Sequence, residues 1–144
     1  MMMNKFNLIK VFTLALVVVF LSSCKDDEVA PASVESQLIG TWMGDEYYED
    51  GELSDWNAIF KAYTIDFLED GTGEELSVFG TQSLTWSYEA TTEKLTIITA
   101  DLDTGDGLVI LGDTIVADIV QLDDVSLWFK YNDGQMDIEE RYRK

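Results

Sequence analysis

From Leu38 onward the chain keeps returning to one pattern: a short run with an apolar residue at every second position, then a cluster of Gly, Asp, Asn or Thr, then another such run. Side chains of an extended strand alternate between two faces, so a two-residue apolar period marks strands with one buried side. Helices, which repeat about every 3.6 residues, cannot follow it. Eight runs qualify. The first spans Gly40 to Glu49. The second, Ala62 to Leu68, puts Tyr63, Ile65 and Phe67 on one face, and the third, about Glu74 to Phe79, puts Leu76 and Val78 inward. The fourth, Ser83 to Ala90, offers Leu84, Trp86 and Tyr88; the fifth, Lys94 to Thr99, aligns Leu95 with Ile97. A sixth lies within Leu108 to Leu122, where both faces of Ile115 to Val120 are apolar and Gly112-Asp113 marks a bulge or turn. The seventh alternates Leu127, Phe129 and Tyr131. The eighth sets Met136, Ile138 and Tyr142 against Asp137, Glu139 and Arg141.

Between these runs, Glu69-Asp70-Gly71-Thr72-Gly73 and Asn132-Asp133-Gly134 are tight-turn sequences, and Asp101 to Gly107 reads as a loop. Ser54 to Lys61 breaks the rhythm and reads as a loop with a helical turn, while Ser33 is placed to cap a short turn through Val34 to Gln37, with Ser36 an acceptable alternative cap. Short turns make neighbours in sequence neighbours in space. A meander of eight one-faced strands hides its edges best by closing, so the expected fold is all-β: an antiparallel, up-and-down, eight-stranded barrel.

The chain's beginning carries a different signal. Lys5 and Lys10 precede an apolar run, Val11 to Leu21, of about eleven residues, too short for a span of about twenty but suited to a cleavable signal peptide. Leu21-Ser22-Ser23-Cys24 resembles the lipobox of bacterial lipoproteins, in which the cysteine becomes a lipidated N-terminus. Cys24 is the only cysteine, so it has no disulfide partner within the chain, and lipidation accounts for it better than a chance cysteine after an ordinary signal peptide. At about 0.8 kcal/mol per buried methylene, several acyl chains hold a protein at a bilayer almost permanently. Lys25-Asp26-Asp27-Glu28 is similar to the Lys-then-acid signal that sends some Gram-negative lipoproteins to the cell exterior; the plain alternative is a charged, solvated tether. The expected organisation is residues 1–23 as signal peptide, 24–33 as lipidated Cys24 and flexible tether, and 34–144 as the barrel domain. The expected location is the outer membrane, lipid-anchored and facing outward.

Charge narrows the partners. The full chain has a net charge of −19; removing Lys5 and Lys10 with the signal leaves seven basic residues against 28 acids, a net −21. Such a field repels nucleic acid and anionic headgroups, so the membrane is met through acyl chains and not through the domain. The acids are spread between apolar residues, as on a folded, soluble surface. The chain has no histidine and its one cysteine is expected to be acylated, so neither a catalytic role nor a cofactor is expected.

The stretch Leu38-Ile39-Gly40-Thr41-Trp42 resembles the start of the lipocalin-like domains of bacterial lipoproteins. The resemblance runs on through Ile65-Asp66-Phe67, Asp70-Gly71-Thr72, Leu84-Thr85-Trp86 and the terminal Glu140-Arg141-Tyr142-Arg143-Lys144. It implies that Trp42 closes one end of the barrel under Arg141 or Arg143, and that the barrel is a cup. The disulfides and long C-terminal helix of larger eukaryotic lipocalins are absent, so no cargo is implied.

Two uses of such a barrel stay open. An apolar interior built from Ile65, Phe67, Leu84, Trp86, Leu95, Ile97, Phe129 and Ile138 takes a small apolar or amphipathic ligand, with Glu140 on the same face as Ile138 needing water, a partner or a ligand. The same residues equally make a filled core, leaving a protein-interaction module that presents Tyr47, Tyr48 and Trp56 to a surface protein. Asp101, Asp103 and Asp106 lie at calcium-loop spacing. However, Gly105 stands where a ligand belongs, Asp106 where the glycine belongs, and no glutamate follows at the last position, so a solvated acidic loop without metal is the plain reading.

Overall fold

The computed structural model describes residues 32–144 with the exception of 106. Cys24, the Lys25, Asp26, Asp27, Glu28 signal and Asp106 therefore lie outside the described residues. Among the described residues two short helices, α1 (Val34–Leu38) and α2 (Asn57–Phe60), accompany eleven strands: β1 (Gly40–Glu49), β2 (Glu52–Leu53), β3 (Thr64–Phe67), β4 (Thr72–Ser77), β5 (Gly80–Glu89), β6 (Lys94–Thr99), β7 (Leu102–Asp103), β8 (Val109–Ile110), β9 (Thr114–Leu122), β10 (Ser126–Asn132) and β11 (Asp137–Arg143).

Eight of the strands close a barrel in the order β11-β10-β9-β6-β5-β4-β3-β1, with β1 pairing back to β11; every pairing is antiparallel. Closure leaves the barrel no free edge. Long β1 serves two neighbours: Gly40 to Met43 pair with β3, and Met43 to Glu49 pair with β11, with a bulge between Gly44 and Glu46. The short β2 folds back on the tip of β1, and β7 and β8 form a separate hairpin between β6 and β9.

The two ends differ. At one end Ser33 Oγ accepts from Ser36 N at 3.2 Å and starts α1, whose Leu38 is fully buried. Trp42 is also fully buried, and its Nε1 donates to Leu38 O at 2.7 Å. The cation over its ring is Lys144, with Nζ at 4.2 Å, not Arg141 or Arg143. Alternation along β11 is the reason: Ile138, Glu140 and Tyr142 point inward, so Arg141 and Arg143 point out. Lys144, past the end of the strand, turns beneath the barrel and donates to Gln37 O and Ile39 O at 3.3 and 3.2 Å. Arg141 instead sits on the outer wall between the rings of Tyr48 and Trp128, 4.3 Å from each, and pairs with Glu46 at 2.7 Å; Arg143 reaches Asp45 at 3.8 Å.

The sixth run divides. Val109–Ile110 joins the β7–β8 hairpin, and β9 begins only at Thr114. Gly112-Asp113 turns the chain between them, with Gly112 N donating to Asp101 Oδ1 at 2.7 Å and Asp113 N to Thr99 Oγ1 at 2.9 Å. The third run has the opposite phase to the expected one. Gly73 pairs with Phe67 and Leu84, and Glu75 with Ile65 and Gln82, all inward, so Leu76 and Val78 face solvent. A one-residue change of phase exchanges the two faces of a strand, and the neighbouring strands decide it here.

Candidate functional site

The interior has a packed lower half and an open upper half. Below, Trp42, Phe67, Leu84, Trp86, Leu95 and Leu127 fill the space against Leu38. Phe67 meets the Trp86 ring edge-on at 5.3 Å, and Trp86 Nε1 donates to Leu68 O at 3.0 Å and Thr72 O at 3.1 Å. Gly73 makes this packing close: a Cβ there would stand 1.9 Å from Asp66 O.

Above lies a cavity of about 320 Å³, within the range of small-ligand sites. Ile65, Ile97, Ile115 and Phe129 supply apolar lining, while Tyr47, Tyr63, Tyr131, Tyr142, Gln82, Glu75 and Glu140 bring polar atoms to it. Helix α2 covers it with Ile59 and Phe60; Trp56, Leu111, Glu49 and Asp113 form its rim. Trp56 and Leu111 are 52 % and 75 % exposed, so the cavity meets solvent between α2 and the segment leading into β9.

The lid is held by specific bonds. Asn57 Oδ1 accepts from Tyr47 N at 2.9 Å, Ser54 Oγ accepts from Trp56 N at 3.1 Å, and Gly44 N donates to Tyr63 O at 2.9 Å. The Phe60 ring lies 5.3, 5.8 and 5.0 Å from those of Tyr47, Tyr63 and Tyr142. Gly44 permits this approach, since a Cβ there would stand 2.1 Å from Phe60 O.

Glu140 is buried and accepts from Tyr131 Oη at 2.8 Å and from Tyr142 Oη at 2.6 Å. Desolvation raises its pKa above the usual carboxylate range despite these two bonds. Desolvation first, and then the Glu140 charge, push Glu75 up to about 7. Tyr131 and Tyr142 are raised by burial and by the same carboxylate. Among the described residues no Lys or Arg lines the cavity, and no ion pair reaches Glu75 or Glu140.

Of the residues expected to form a cup, Ile65, Ile97, Phe129 and Glu140 line this cavity. Phe67, Leu84, Trp86 and Leu95 lie in the packed half, and Ile138 is buried opposite Tyr131 and Glu49, outside the lining. Of the expected surface anchors, Tyr47 is inside, Tyr48 lies against Arg141, and Trp56 stands at the rim. Glu75, Gln82 and the α2 lid are additions. Asp101 and Asp103 cap turns through Gly112 N and Gly105 N, and among the described residues no three acids gather as a metal site.

No family model and no curated relative matches this sequence. Among solved structures, the chain is similar to a lipocalin-like protein from Bacteroides uniformis, with 21 % identity over 75 % of this chain and 98 % of that one, at a TM-score of 0.53. It is similar too to a DUF4847 family protein from Bacteroides vulgatus, with 16 % identity over 76 % and 94 % of the two chains, at a TM-score of 0.52. These likenesses span nearly the whole of both neighbours, and together with the closed eight-stranded antiparallel barrel they establish a lipocalin-like fold for this chain.

Proposed function

We propose that this protein is a non-enzymatic binding module, anchored by acyl chains on Cys24 to the outer membrane and facing the cell exterior, that takes a small amphiphile into the upper half of its barrel. The observation that carries the reading is the cavity itself, with Ile65, Ile97 and Phe129 inside and polar groups beside a solvent-exposed rim. An apolar chain placed there leaves water for apolar contacts, gaining about 25 cal/mol per Å² buried, while its polar end reaches a hydroxyl, an amide or water.

Titration with octan-1-ol tests it. Binding changes the emission of rim residue Trp56 and raises the melting temperature by mass action. Ile115→Phe, which puts a ring into the cavity, abolishes both effects while the protein stays folded. Absence of any saturable effect in the unmodified protein would leave the barrel as an interaction module.

Anchoring has its own test. Cys24→Ser moves the protein from the detergent phase to the aqueous phase and removes labelled fatty acid; a variant that keeps both refutes lipidation. Protease shaving of intact cells removes the domain, and replacing Lys25, Asp26, Asp27 and Glu28 by Ala protects it. Equal protection of the two forms argues against surface display.

A further inference from the structure

The lining of the cavity has a sign. Four acids, Glu49, Glu75, Asp113 and Glu140, border it and, among the described residues, no base does. Glu140 is more than nine-tenths buried, and its two hydrogen bonds come from neutral phenols, so its charge has no cation opposite it among the described residues. Around these carboxylates stand the rings of Tyr47, Phe60, Tyr63, Phe129, Tyr131 and Tyr142. Aromatic faces attract cations, most strongly where water is excluded. Buried carboxylates favour a positive guest, and an anion entering would meet like charge at low dielectric.

We infer that the cavity selects a cationic amphiphile: an organic ammonium group facing Glu75 and Glu140 within the aromatic ring, its apolar body against Ile65, Ile97 and Phe129. The inference rests on the cup reading and specifies its ligand class. The outer surface works in the same direction, since a chain with 28 acids against nine basic residues concentrates cations around itself. Its field alone, however, does not distinguish the cavity from the exterior.

Three eight-carbon probes that differ only in head group separate these effects: octylammonium, octan-1-ol and octanoate, titrated calorimetrically below their micelle concentrations. Octylammonium binds at least about tenfold more tightly than octan-1-ol, and octanoate shows no saturable binding. Glu75→Gln brings octylammonium to within about twofold of octan-1-ol. Glu74→Gln, which removes one charge from the adjacent, outward position of β4, leaves the preference intact.

Acidification adds a second readout. The groups facing Glu75 are Glu140 and Tyr142 from β11, Tyr131 from β10 and Tyr63 ahead of β3; the three phenols are raised from their ordinary value near 10, Glu140 is raised by desolvation, and Glu75 itself is pushed up to about 7. Octylammonium affinity therefore falls between pH 8 and pH 6 as Glu75 takes up a proton, while octan-1-ol affinity does not. Octan-1-ol or octanoate binding as tightly as octylammonium overturns the cationic preference and leaves the cup standing. A preference unchanged in both Glu75→Gln and Glu140→Gln also overturns it, because the cation is then gathered by the outer surface. Binding of none of the three overturns inference and cup together.

Discussion

Trp42 joins three parts of the chain at one indole: its ring is fully buried, its Nε1 donates to Leu38 O at the end of α1, and Lys144 lies 4.2 Å over its face. Removing a buried ring of this size costs about 3–5 kcal/mol, so Trp42→Ala should lower the unfolding free energy read from urea titration by that amount. Lys144→Ala should cost only about 1 kcal/mol, since Lys144 is itself exposed and a solvated cation over a ring contributes about 0.5–1 kcal/mol. A near-neutral Trp42→Ala would contradict the closed end. The Gly40-Thr41-Trp42 segment made Trp42 legible in the sequence. Its cation was not, because Arg141 and Arg143 differ from Lys144 only in how the chain leaves β11, and the phase of that strand turns both arginines outward.

Among the elements, β4 and α2 shape the site: the helical turn of α2 was legible within Ser54 to Lys61 but its place over the cavity was not, and β4 was expected in the opposite phase. In β4 the apolar residues Leu76 and Val78 suggest the inner face, yet pairing with β3 and β5 puts Gly73, Glu75 and Ser77 inside. A strand lining a polar cavity inverts the usual rule that the apolar face is the buried one. The other inward faces, such as Leu84-Trp86-Tyr88 and Leu127-Phe129-Tyr131, were legible because their inward residues are apolar or aromatic in whichever half of the barrel they stand. Helix α2 lacks a periodic pattern because one turn is too short to show it; tertiary bonds to Tyr47 and the notch at Gly44 hold it. Gly44→Ala should therefore lift the lid, at a cost of about 1–3 kcal/mol. Hydrogen exchange reads this directly: the amides of Phe60 and Tyr63, bonded to Trp56 O and Phe60 O, should exchange faster than in the unmodified protein. Unchanged protection would mean that Gly44 does not set the lid.

For the molecule as a whole, the interior acids and the turn acids oppose each other as pH changes. Glu75 titrates near 7 when folded, above the ordinary value near 4.3. The folded state thus binds its proton more tightly than the unfolded chain, and stability from this group rises as pH falls from 8 toward 5, by at most about 3 kcal/mol. Asp70, Asp123 and Asp133 are shifted the other way, by bonds from the Thr72 side chain, Val125 N and Met136 N respectively. Their contribution is present above the ordinary carboxylate range and is lost as pH falls through their lowered folded values. Melting temperature should accordingly be higher at pH 5.5 than at pH 8 and should decline again below about pH 4. Glu75→Gln should flatten the upper limb; a profile unchanged by that substitution would mean Glu75 is not the group responsible.

One half of this barrel is open and the other packed, and methyl NMR with octan-1-ol reports on the two halves separately. Saturable shifts at Ile65, Ile97 and Ile115, with Leu38, Leu95 and Leu127 unmoved, are the predicted result. Shifts confined to the outward-facing Val116 and Val120, or none at saturating alcohol, would contradict it.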